Sequence, residues 1–98
     1  MAKVNWTPEA EWWLRDIYNY IAADSQEAAS RVVEGIYSRV ELLERFPLVG
    51  HRYVTALGRE VRILAYGHYR IAYVVRPDEI ADILGVFHGA LDIDRYLP

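Results

Sequence analysis

Glu60-Val61-Arg62-Ile63-Leu64-Ala65-Tyr66-Gly67-His68-Tyr69-Arg70-Ile71-Ala72-Tyr73-Val74-Val75 is the stretch on which the fold of this chain turns. β-branched and aromatic residues flank a Gly67-His68 break, which is the pattern of a β-hairpin. Arg62 and Arg70 are set into these otherwise apolar and aromatic strands. A two-residue loop at Gly67-His68 sends the two arginines to opposite faces, whereas a three-residue loop or an adjoining bulge puts both on one face. The second register is preferred, because it gathers Val61, Ile63, Ala65, Tyr69, Ile71, Tyr73 and Val75 into an oily face suited to a helix layer. Arg62, Leu64, Tyr66, Arg70, Ala72 and Val74 then share a second, bare face. A lone buried guanidinium is costly, so both arginines are expected to be exposed or paired, with Asp82 a candidate carboxylate.

Working outward, Val4-Asn5-Trp6 reads as a short strand stopped by Thr7-Pro8. Thr7 fits an N-cap and Pro8 the first helical position, where its missing N–H costs nothing. The helix should run to about Ala23, with Ala10, Leu14, Ile17 and Ile21 at helical spacing and Trp13, Tyr18 and Tyr20 widening the buried stripe. Asp24-Ser25-Gln26-Glu27 has the look of a capping box opening a second helix. Its seam is Ala29, Val33, Ile36, Val40 and Leu43, continued by Val32 and Phe46 and ended by Pro47. Almost no loop separates the two helices, so an antiparallel hairpin is expected. Leu48 to Arg59 reads as a loop. A last strand is predicted from about Glu79 to Phe87, after a turn at Pro77-Asp78, and the tail from His88 to Pro98 should contain a final helical turn. The order β-α-α-β-β-β, with a short closing α, predicts an α+β fold. In it the helix hairpin packs on one face of a twisted, mainly antiparallel sheet.

The 98 residues suffice for one domain with a modest two-layer core. Apolar residues make up 53% and charged residues 26%, which argues against disorder. Cysteine is absent, and His51, His68 and His88 lack zinc-site spacing, so no disulfide, metal or thiolate chemistry is expected. No apolar run resembles a signal peptide or a membrane span, and a cytoplasmic location is expected. The net charge of −3 hides an asymmetry. Residues 51–76 hold Arg52, Arg59, Arg62, Arg70 and Arg76 against Glu60 alone, which could meet an acidic partner or nucleic acid. Acidity of the chain as a whole weakens the nucleic-acid reading.

No nucleophile triad, phosphate-binding loop, dinucleotide glycine pattern or metal-spaced carboxylate pair is legible, so no cofactor is expected. One constellation remains: Arg62, Arg70 and His88, with Tyr66 or Tyr96 near. Cleaving RNA through its 2′-hydroxyl needs proton transfer near neutral pH and a cation to hold phosphate charge, which histidine and arginine can supply. A strand-end His88 bonded to backbone explains the same spacing without chemistry, and is favoured on spacing alone.

In order and spacing the chain resembles the RelE/ParE superfamily of type II toxin–antitoxin toxins, most closely the ParE, or plasmid-stabilisation, branch. The resemblance covers nearly the whole chain as a single toxin domain, residues 1–98. It is carried by Trp6-Thr7-Pro8-Glu9-Ala10-Glu11, Asp16 to Ala22, Leu42 to Gly50, Val61 to Leu64, Tyr69 to Tyr73 and Val86 to Ala90. It implies two helices on a twisted antiparallel sheet and a growth inhibitor silenced by an antitoxin encoded beside it. The expected assembly is a toxin–antitoxin hetero-oligomer, with a homodimer as a second assembly open to the toxin. A groove beside Trp12, Trp13 or the sheet edge would take the antitoxin.

The ParE branch implies poisoning of DNA gyrase without bond-making by the toxin; the RelE branch implies mRNA cleavage at the ribosome. For cleavage, Arg70 and His88 fall where some members place a catalytic arginine and histidine, with Arg62 supporting and Tyr96 a further candidate. Against it, lysine is absent after Lys3, Gly89 stands where an aromatic catalytic residue is expected, and the pI of about 5.5 is poor for ribosome binding. Leu91 also departs from an arginine common in the ParE branch. The gyrase reading is therefore preferred, with Trp13, Arg52, Arg59, Arg62, Tyr66, Arg70 and His88 as candidate target or antitoxin contacts. An inactive homologue that only binds antitoxin is the third reading.

Overall fold

Thr7 begins the fold as expected: its hydroxyl accepts the Ala10 N–H at 3.1 Å and donates to the Ile83 carbonyl at 2.6 Å. One side chain thus caps a helix and fastens it to the sheet. In the computed structural model, which describes residues 1–97, strand β1 (Lys3–Trp6) leads into helix α1 (Pro8–Ala22) and then α2 (Gln26–Glu41). A 3₁₀ turn at Leu42–Glu44 precedes β2 (His51–Val54), β3 (Glu60–Tyr66), β4 (Tyr69–Val75), β5 (Ile80–His88) and α3 (Ile93–Tyr96). The predicted closing helical turn is therefore present as α3, and Pro98 at the end of that segment lies outside the described residues.

The sheet has five strands in the order β1-β5-β4-β3-β2, with β1 parallel to β5 and every other pair antiparallel. The α+β layout stands, but the segment expected to be a plain loop supplies an edge strand, β2. His51-Arg52 gives that strand a polar start, which hid it; Tyr53-Val54 and the turn glycine Gly58, at φ 89°, were its signals. Ser25 caps α2 through the Ala28 N–H at 3.1 Å. Only half of a capping box is made, because Ala28 occupies the position from which a glutamate would reach back.

The preferred hairpin register is overturned. Tyr66 pairs with Tyr69 and Arg62 with Tyr73, so the loop has two residues and Arg62 and Arg70 point to opposite faces. Gly67 at φ 56° occupies the first loop position, where the tightest hairpin turns need a positive φ. The bulge lies elsewhere, between β4 and β5 at Ala72/Tyr73. Nor is the second face bare. Leu64, Ile71 and Tyr73 pack with Ala10, Leu14, Ile36, Val40 and Leu43 of the helix layer. Val61, Ile63, Ala72 and Phe87 form another core on the opposite face beneath Ile93 and Leu97 of the tail. Each fully buried side chain of this size stabilises by roughly 1.5–3 kcal/mol before entropy is counted.

Three side chains depart from their expected environments. Tyr20 is 83% exposed and Phe46 55% exposed, so neither joins a core. Asp82 accepts a hydrogen bond from the Asn5 side-chain amide at 2.9 Å and forms an ion pair with Arg76 at 3.7 Å, not with Arg62 or Arg70. At the β4–β5 turn, Glu79 holds φ 64°, a conformation costly for any residue with a Cβ. Glu79→Gly is expected to raise the unfolding free energy by about 1 kcal/mol, read as a higher melting temperature. Among the described residues no helix is long and apolar enough to cross a membrane.

Candidate functional site

Trp13, Asp16, Ile17 and Tyr20 recur at helical spacing on α1. Opposite them stand Tyr69 of β4, Val86 and His88 of β5, and Ala90 and Leu91 of the tail. Between the two walls lies an open cleft of about 610 Å³, walled mainly by apolar and aromatic groups. β1 pairs with β5 only from Ile80 to Ile83, so the cleft borders the part of β5 that runs beyond its outer neighbour.

The tail wall is tightly held. Gly89 N–H donates to the His68 carbonyl at 2.7 Å and Leu91 N–H to the His88 carbonyl at 2.9 Å. Ala90 N–H donates to His88 Nδ1 at 3.2 Å, which leaves the neutral ring with its proton on Nε2. From the opposite face of the sheet, Arg70 Nη2 donates to the Leu91 carbonyl at 2.6 Å and to the Gly89 carbonyl at 3.4 Å. Its Nε is buried without a hydrogen-bond partner among the described residues. Further along, the Tyr53 hydroxyl donates to Asp94 Oδ2 at 2.8 Å, and Asp94 Oδ1 accepts the Ala56 N–H at 2.8 Å. The bond to Asp94 is the main reason that the Tyr53 phenol titrates above its usual range. Arg70 and Asp94 thus latch the tail over the sheet.

Of the residues weighed for RNA cleavage, Arg62 and Arg70 point to opposite faces of the sheet, and His88 is bonded to backbone at a strand end, as favoured from its spacing. His88 faces the cleft on the helix side, paired with Tyr69, whose ring it meets edge-on at 5.9 Å. Arg70 lies on the other face, and Arg62 is spent on the Leu48 and Gly50 carbonyls at 3.1 and 2.8 Å. Tyr66 lies 5.6 Å beneath the Arg39 guanidinium, over Gly35, where an added Cβ would fall 1.8 Å from its hydroxyl. Tyr96 packs on Trp13 and Phe87, with ring centroids at 4.9 and 5.9 Å. Arg52 pairs with Glu60, and Arg59 is an exposed residue whose backbone closes the β2–β3 turn with Thr55. Of the sequence candidates, only Trp13 and His88 line the cleft; Ile17, Tyr20 and Tyr69 were not singled out. The signal for them was an apolar stripe on α1 wider than one partner helix can cover. Among the described residues no three His, Asp or Glu side chains gather as a metal site.

A helix hairpin over a mainly antiparallel sheet, with a tail strapped across the far face, is the α+β layout that the RelE/ParE resemblance implies. The family model for the ParE toxin of type II toxin–antitoxin systems, parDE, matches residues 4–93. The chain belongs to that family. Its fold is similar to a chain of the chromosomal ParDE toxin–antitoxin system from P. aeruginosa, with a TM-score of 0.71 and 22% identity over 90% of this chain and 96% of that one. It is also similar to a chain of the RelBE2 toxin–antitoxin complex from Mycobacterium tuberculosis, with a TM-score of 0.61 and 25% identity over 89% and 96%. No curated protein matches it in sequence.

Proposed function

We propose that this toxin is neutralised by an antitoxin segment seated in the α1–β5 cleft, and that it stops growth in the cytoplasm by poisoning DNA gyrase. The cleft carries the first half of the reading. It is concave and apolar, and it is bordered by polar groups at Asp16, Asn19 and His88, as suits a segment that folds on binding. Family membership supports an antitoxin encoded beside the toxin. The dispersal of Arg62, Arg70 and His88 over two faces favours a protein–protein mode of inhibition over bond cleavage. Cleaving an RNA phosphodiester requires base, acid and phosphorane stabiliser within reach of one phosphate. Ribosome-dependent mRNA cleavage is the alternative, and an inactive antitoxin-binding homologue the third.

Expression of the chain alone in bacteria tests the reading. Filamentation with induction of DNA repair, relieved by the adjacent antitoxin, is the expected outcome. Arrest of translation without DNA damage would transfer the toxin to the ribosome, and unimpaired growth would mark an inactive homologue.

A further inference from the structure

Among the described residues, Asp16 is the only acidic side chain on the walls of the α1–β5 cleft, and no lysine or arginine shares those walls. Nor does Asp16 make an ion pair among the described residues. The helix explains why. Positions three and four residues away hold Trp12, Trp13, Asn19 and Tyr20, so no cation stands beside Asp16 on the surface of α1. Arg15, its neighbour in sequence, borders a different hollow with Tyr18, Val33 and Tyr37, on the α2 side of the helix. Across the cleft the sheet and tail offer Tyr69, Val86, His88, Ala90 and Leu91.

An exposed carboxylate on a convex surface keeps its water and needs no partner. This one borders a concave, mainly apolar space of about 610 Å³. An occupant that displaces its water without bringing a positive charge leaves the carboxylate uncompensated. Trp13, Tyr20 and Tyr69 share the lining, and aromatic faces attract cations. Tyr20 is engaged by no other ring among the described residues. Burial, and then the charge of the nearby Tyr20, raises the Tyr69 phenol, so the two tyrosines meet across the opening.

We infer that the cleft recognises a basic side chain of its occupant, paired with Asp16 and laid against the aromatic lining. A guanidinium suits this setting, because it grips a carboxylate with two N–H groups and stacks on a ring. Apolar neighbours of that side chain cover Ile17, Val86 and Leu91. The inference rests on the proposal that an antitoxin segment fills the cleft, and it adds the chemistry that the segment carries there.

Titration calorimetry of the full chain with its cognate antitoxin tests it. Asp16→Asn should weaken binding about tenfold and Asp16→Lys about a hundredfold, with melting temperatures unchanged because Asp16 is exposed. Asp16→Glu should stay within about threefold of wild type, and the gap between wild type and Asp16→Asn should narrow as salt is added. Changing each lysine and arginine of the antitoxin's toxin-binding segment to glutamate in turn should yield one variant that prefers Asp16→Lys to wild type. Wild-type affinity in Asp16→Asn and Asp16→Lys, beside weak binding by Leu91→Glu, would overturn the inference and leave the occupied cleft standing. Wild-type affinity in all three would overturn the occupied cleft and the inference with it. A scan that yields no compensating glutamate would overturn the assigned pairing.

Discussion

Tyr73→Phe is expected to lower the unfolding free energy by about 2 kcal/mol, and Tyr73→Ala by about 4 kcal/mol, a large part of the stability of a domain this size. Tyr73 is fully buried, and its hydroxyl donates to the Pro47 carbonyl at 2.8 Å while accepting the Gly50 N–H at 2.9 Å. Phenylalanine keeps the packing but leaves both backbone groups without this partner where water has little access. Gly50 offers no relief, because a Cβ there would lie 2.7 Å from the Tyr73 ring and 2.9 Å from the Ile63 carbonyl. Burial, partly offset by the Gly50 N–H bond, holds the Tyr73 phenol above its usual value of 10.0. Burial does the same for Tyr69, and the Asp94 bond for Tyr53. A raised folded-state value contributes stability that is complete below about pH 10 and is lost as pH rises beyond it. Wild type should therefore weaken above that pH, and Tyr73→Phe should weaken less steeply. Urea melts at neutral and alkaline pH check both statements; equal neutral midpoints for wild type and Tyr73→Phe would remove Tyr73 from its place as the anchor of the loop.

Tyr20→Ala should weaken antitoxin binding by about thirtyfold, the loss typical of an aromatic anchor, with no change in melting temperature. Tyr20 borders the cleft while 83% of its area faces solvent, so its contribution to folding is small and its potential contribution to binding large. Leu91→Glu, on the facing wall, should have a comparable effect by placing a charge against the apolar lining. Titration calorimetry with the cognate antitoxin reads the change. Undiminished affinity in both variants would move the antitoxin away from this cleft.

The helix layer was legible because its seams are one-sided. Thr7-Pro8 and Ser25 mark two helix starts, and Ala29, Ile36, Val40 and Leu43 all reach the core. The hairpin register was not, and the reason is physical. Alternation reveals register when one face of a sheet meets water, but here both faces of β3 and β4 are covered, by the helices and by the tail. Apolar residues then occupy both sets of positions, and the two arginines are satisfied by loop and tail carbonyls that no sequence rule points to. The same coverage hid the site. Arg70 looked like a phosphate ligand because its actual partners, Leu91 and Gly89, are backbone carbonyls supplied by a tail of unknown path. Trp13 was identified from its type, whereas Tyr20 and Tyr69 become part of a site only once β5 runs on past β1.

The most direct test of the central claim is a gyrase reaction on supercoiled plasmid with the purified toxin, run beside a translating-ribosome reaction on a labelled message. Accumulation of gyrase-linked cleaved DNA, suppressed by the antitoxin and with the message left whole, is the predicted result. Normal gyrase turnover alongside transcripts cut on the ribosome would contradict it.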